Sequence, residues 1–177
     1  METLEAIHAR HSYRGEFLDV PLPREDLERI VAAGLAAPSG RNAQTTLFVI
    51  VDENGPRESI RSLHATNKAM RSAAAFIVCL VDRDPPPTYE GLSFQVEDCA
   101  AAVENILLTI TDLGYASVWV DGWLRMEDRA EKIAEMLGLP EEKVPRIILP
   151  VGKPAGEEKR KEKLPFSARA WFNRYGG

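Results

Sequence analysis

The stretch DCAAAVENILLTITDLGYASVWV, residues 98–120, decides the fold. Ala100–Val103, Ile106–Leu108, Ile110 and Leu113 make it apolar on nearly every side. The periodicity predicts a helix over 94–113, buried centrally or at a subunit interface. Glu104, Asn105, Thr109 and Asp112 interrupt it well before it could span a bilayer. Gly114 stands where a helix ends in a left-handed residue. ASVWV, 116–120, then reads as a strand, and DGWL, 121–124, as a loop.

Working outward, LFVIV (47–51) and FIVCLV (76–81) read as fully buried strands, and RIILPVG (146–152) as the last one. Helical spacing covers Thr3 to His11. It resumes from a start signal at Pro23 to Asp26 and runs through Leu35 until Pro38. DENGP, 52–56, reads as a turn, followed by helices over Arg57 to Leu63 and Asn67 to Ala73. Ala130, Ile133, Ala134 and Leu137 form an amphipathic helix stopped by Gly138 and Pro140. DRDPPPTYEG, 82–91, is a proline-rich loop, a lid or surface segment. Helices fall in pairs between strands, which predicts an α+β fold or mixed sheet rather than a regular doubly wound one. No repeat or linker divides the chain, so one domain is expected over 1–177. Its 155–177 extension begins charged and ends with Phe166, Trp171, Phe172 and Tyr175. Such a tail is expected to pack on something, such as a partner subunit.

The chain has 177 residues, with 45% hydrophobic and 28% charged side chains, an ordinary balance for a soluble domain. Its 27 acidic against 22 basic residues leave a net charge of −5, which argues against nucleic acid or an anionic membrane as partner. Cys79 and Cys99 sit in apolar surroundings with no C-x-x-C or histidine pattern. That predicts a reducing cytoplasm and no metal site. No signal-peptide pattern shows at the N-terminus.

Against this acidic background, RHSYR (10–14) concentrates Arg10, His11 and Arg14 around Ser12. Guanidinium forks with hydroxyl and ring donors are what a phosphate needs. Cations capping the negative end of a helix are the competing structural reading. APSGRNAQ (37–44) offers Ser39, Gly40 and Asn42, also ordinary turn residues. VWVDGWL (118–124) puts Asp121-Gly122 between two tryptophans, where glycine permits close backbone approach to a flat ligand; a plain strand-end turn fits equally. In GEEKRKEKLP (156–165), Lys161 and Lys163 point the same way in extended chain, though a solvated charge run reads the same. His8 and His64 are expected on helices without metal-ligand spacing. Neither G-x-G-x-x-G nor a P-loop is present, and no triad-like arrangement has motif support.

Taken in order, these pieces resemble the nitroreductase family of flavin mononucleotide (FMN) oxidoreductases. RHSYR resembles its N-terminal Arg-[Arg/His]-Ser-x-[Arg/Lys], and APSGRNAQ its A-P-S-x-x-N-x-Q loop. Thr45-Thr46 departs from the Pro-Trp that usually follows. NKAMRSAAAFIV (67–78), residues 98–120, DGWL and PVGKPA…KEKLP resemble further family segments.

The resemblance implies an α+β fold with a central, mostly antiparallel sheet flanked by helices, and an intertwined homodimer with FMN at the interface. It assigns Arg10, Ser12 and Arg14 to the ribityl and phosphate with His11 beside them. Lys161 and Lys163 complete the clamp. Asn67 reaches the ring edge, and Pro38, Ser39, Gly40 and Asn42 come from the other subunit. In the Asp121-Gly122 loop over the flavin, the Gly122 N–H faces N5. It further implies NADH or NADPH as donor, a small-molecule acceptor such as a nitroaromatic or quinone, and ping-pong turnover. The alternative is a flavin-binding or redox-sensing module with little turnover.

Overall fold

The computed structural model describes residues 1–64 and 66–176; Ala65 and Gly177 lie outside the described residues. Its frame is a four-stranded antiparallel sheet in the order β1-β2-β4-β3, made of β1 (Leu47–Val51), β2 (Ala75–Asp82), β3 (Ala116–Ser117) and β4 (Lys143–Gly152). Among the described residues six α-helices flank it: α1 (Thr3–Ala9), α2 (Arg24–Leu35), α3 (Asn54–Ser62), α4 (Lys68–Ser72), α5 (Gln95–Asp112) and α6 (Arg129–Met136). The α+β class read from the element pattern and the antiparallel sheet implied by the resemblance are both present.

Side chains alternate along β2 and so divide the core. Ile77, Cys79 and Val81 face one cluster with Ile147 and Leu149 of β4, Leu27 and Ile30 of α2, and Val103 and Ile106 of α5. Phe76, Val78 and Leu80 face the other with Ile148, Ile60 of α3, Met70 of α4, Ile133 of α6 and Leu124 of the loop that precedes α6. Helix α5 buries Cys99, Ala102, Val103, Ile106, Leu107 and Ile110 as one stripe, while Val96 is 46% exposed. Gly114 ends it at φ +76°, as the sequence indicated. Cys79 and Cys99 are both buried. The neighbouring Cys99 thiol and burial push the Cys79 thiol well up.

Several details differ from the sequence reading. LFVIV is not fully buried, because β1 is an edge strand and only Val51 is buried. DENGP is not a separate turn: α3 begins at Asn54 and takes Pro56 into its first turn, where a missing N–H costs nothing. ASVWV pairs only at 116–117 and again at an isolated bridge, Val120 with Ile148. The register sets Val118 opposite Pro150, which has no N–H to donate. His64 lies beyond the end of α3 rather than on it.

Candidate functional site

Helix α1 stops at Ala9, two residues earlier than its spacing suggested, so the basic run is extended chain. Tyr13 and Phe17 anchor that chain; they are 3% and 5% exposed and their rings lie 5.2 Å apart. The Tyr13 amide donates to the Ser117 carbonyl at 2.9 Å, and its hydroxyl to the Glu16 carbonyl at 2.6 Å. Alternation then turns Ser12 and Arg14 away from the core. Capping takes up His11 alone, whose Nδ1 lies 3.0 Å from the Ala9 carbonyl.

The end of the chain is laced to this segment. The Leu18 amide donates to the Lys153 carbonyl at 2.8 Å, and the Ala155 amide to the Glu16 carbonyl at 2.9 Å, around a bridge between Phe17 and Pro154. Further along, the Arg14 amide donates to Glu158 Oε2 at 2.7 Å. The result is a cleft of about 690 Å³ lined by Arg10, His11, Ser12 and Arg14 on one side and by 157–161 and Lys163 on the other. Six guanidinium or ammonium groups face two carboxylates, Glu157 and Glu158. Arg10 Nε lies 3.2 Å from Glu104 Oε1 without hydrogen-bond geometry, which leaves it a buried donor in want of a partner. This donor set fits a phosphate group. A smaller cleft of about 330 Å³ at the β1 edge carries one cation, Arg24, already paired with Asp52 at 2.7 Å.

The other expected site residues are not in the basic cleft. Pro38 and Ser39 line a separate groove with Gln44, Thr45 and Asp98. That loop is tightly held: Asp98, 7% exposed, accepts from the Gly40 amide at 2.9 Å and the Thr45 hydroxyl at 3.0 Å. The Ser39 hydroxyl accepts from the Gln44 amide at 3.0 Å. Arg41, Asn42 and Gln44 all adopt positive φ, near +50°, conformations that cost energy and concentrate at functional loops. Asn67 spends its side-chain oxygen capping α4 at Met70 N, 3.2 Å away. That leaves its NH₂ group for other partners.

Asp121 and Gly122 follow the bridge at Val120. A Cβ built on Gly122 meets nothing within 4 Å, so space lies open beside its backbone. On one side of it, the Asp121 carboxylate is held by Arg125 and Arg146. On the other, Trp123 stacks on His64 with centroids 4.7 Å apart and lies under the Arg129 guanidinium. Burial and, secondarily, the Arg129 charge hold the His64 imidazole below its ordinary range. Asp98, Arg146 and Glu158 were not among the sequence-predicted residues. Asp98 alone had a local signal, a carboxylate on the buried stripe of α5.

Fold and cleft together define an α+β protein with a basic cleft where residues 10–14 meet residues 157–163. Comparison with known proteins then fixes its family: the nitroreductase family model matches residues 7–67 and 56–153, and the chain belongs to that family. A relative from Archaeoglobus fulgidus, provisionally named NADH dehydrogenase/NAD(P)H nitroreductase, is 34% identical over 157 residues, covering 89% of this chain and 88% of the relative. Nitroreductase A from Vibrio parahaemolyticus superposes with a TM-score of 0.83 at 27% identity, over 100% of this chain and 78% of that one. A provisionally named nitroreductase from Desulfovibrio desulfuricans, solved in complex with FMN, superposes with a TM-score of 0.79 at 26% identity, over 99% and 98% of the two chains.

Proposed function

We propose that the protein is an FMN-dependent oxidoreductase that takes hydride from NADH or NADPH and passes it to a small organic acceptor such as a nitroaromatic or quinone. The observation that carries this reading is the basic cleft, in which Arg10, Ser12, Arg14, Lys161 and Lys163 converge from opposite ends of the chain. Those side chains hold the cofactor's phosphate and ribityl. FMN, when bound, supplies the hydride chemistry. Asn67 and the Gly122 amide orient the ring, the amide donating toward N5. Positive charge and N–H donors near the ring stabilise the electron-rich state, so no side chain need act as acid or base.

The Pro38–Asn42 loop lies in a different groove from the phosphate cleft of its own chain, which supports its serving a partner's site in a homodimer. Phe166, Phe172 and Tyr175 support the same assembly. They are 64%, 78% and 88% exposed in the single chain, and a partner surface would cover them. The dimer belongs to the cytoplasm in this reading. Among the described residues no helix is long and apolar enough to cross a membrane.

Initial-rate kinetics test the proposal. With donor and acceptor both varied, the FMN-loaded protein gives parallel double-reciprocal lines, the pattern of a donor product that leaves before the acceptor enters. Intersecting lines, or no turnover with any nitroaromatic or quinone, would count against it.

A further inference from the structure

We propose that Arg146 is a positioning residue: carried on a bulge of β4, it fixes Asp121 and thereby aims the Gly122 amide. The inference rests on the FMN reading above and adds a residue outside both the phosphate clamp and the ring contacts.

The bulge is visible in the strand register. Cys79 of β2 pairs with Ile147, but the next residue, Leu80, pairs with Pro145. Arg146 is left without a partner, the extra residue of a β-bulge. Bulges re-aim side chains and recur beside active sites. Here the re-aimed guanidinium reaches back to Asp121, and its Nη1 donates to Asp121 Oδ1. The two side chains are only 20% and 24% exposed.

The same carboxylate also accepts from Arg125, through Nε at 2.6 Å and Nη2 at 2.8 Å. The two arginines are not equivalent. Arg125 lies four residues along the same loop and is 58% exposed, so it moves with what it holds. Arg146 belongs to an interior strand paired on both sides, so it ties the loop to the rigid frame. The backbone supplies a second tie on the same residue: the Leu124 amide donates to the Asp121 carbonyl at 2.9 Å, and the Leu124 side chain is 1% exposed. Gly122, between Asp121 and Leu124, has open space beside it and no side chain to hold it. Its N–H shares a peptide plane with the Asp121 carbonyl, so its direction is set by that carbonyl's bond to Leu124 and by the Asp121 side chain, which Arg146 ties to β4. Two guanidiniums on one carboxylate also leave an excess positive charge at this end of the ring, which favours its electron-rich state.

The test uses the FMN-loaded protein with Arg146→Met and Arg146→Lys. Three quantities are read: the flavin midpoint potential, amide hydrogen exchange in 119–124, and the rate of bleaching by NADH or NADPH. Arg146→Met is expected to bleach about tenfold more slowly or worse, as small misplacements at a reacting centre do. Its potential should become more negative and its 121–123 amides should exchange faster. Its FMN affinity should stay within about threefold of wild type, since the phosphate contacts that carry binding are elsewhere. Arg146→Lys keeps the charge and should recover the potential. An Arg146→Met protein with wild-type potential, exchange and bleaching overturns the proposal. If that variant fails to fold, Asp121→Asn is measured instead, and unchanged exchange in 121–123 overturns it equally. Wild-type protein that takes up no FMN overturns the underlying reading together with the inference, whereas wild-type protein that bleaches alongside an unaffected Arg146→Met overturns the inference alone.

Discussion

The backbone amide of Arg14 donates to the carboxylate of Glu158 at 2.7 Å across 144 residues of sequence. This contact ties the two halves of the basic cleft, and it also places a negative charge where a phosphate is to bind. Glu158→Gln keeps an acceptor for the Arg14 amide and removes that charge. FMN affinity should rise about two- to fivefold, the scale of one exposed charge pair. Fluorescence titration of the flavin-free protein measures it. Weaker binding by the variant would mean that the carboxylate matters for its tie and not for its charge.

Arg14→Ala combined with Lys163→Ala removes one cation from each side of the cleft. FMN binding should weaken about tenfold or more, from charge-assisted bonds of roughly 1.5–3 kcal/mol each. Riboflavin, which lacks the phosphate, should be affected far less. Parallel titrations with the two ligands decide the matter, and equal losses would remove both residues from the phosphate.

Gly122→Val adds a side chain into space that is empty in the single chain. Thermal stability should therefore stay close to wild type. Bleaching of bound flavin should slow by on the order of 10²-fold, because the side chain displaces the ring or the loop. Some FMN should remain bound through the distant clamp. Stopped-flow absorbance at wild-type flavin content provides the reading; an unchanged rate would reduce Asp121-Gly122 to a strand-end turn.

His64 makes stability depend on pH. Its Nδ1 accepts from the Asn67 amide at 3.2 Å, which requires an unprotonated Nδ1. Burial first and Arg129 second lower its affinity for a proton in the native state. The unfolded chain, with an ordinary imidazole near pH 6.5, takes up the proton sooner. The contribution is complete above about pH 6.5 and shrinks as pH falls below that value. His64→Phe keeps an aromatic ring against Trp123 and lacks this loss. Urea midpoints at pH 7.5 and about pH 5 should draw together for the two proteins as pH falls. A constant difference would show that His64 is not the group responsible.

Much of the fold was legible because its signals are local. The apolar stripe of α5, the apolar run of β2, and Gly114 after the helix are each written within a few residues. The basic cleft was legible in its two pieces, RHSYR and the lysines at 161 and 163, because charge stands out in an acidic chain. What closes the cleft was not: Glu158 has no local feature to separate it from its neighbours, and its partner lies across the chain. Arg146 was hidden for a related reason. Its orientation depends on a bulge set by register against β2, and register is a property of two strands. The partial pairing of ASVWV likewise follows from Pro150 on a different strand. Asp98 could have been noticed as a carboxylate on a buried face.

The most direct test of the central claim is anaerobic addition of NADH or NADPH to the purified, FMN-loaded protein, followed by absorbance of the bound flavin. The flavin absorbance is expected to bleach on adding one nicotinamide or both, and a nitroaromatic or quinone then restores it. A yellow protein that neither nicotinamide bleaches would contradict the claim and leave a flavin-binding module with little turnover.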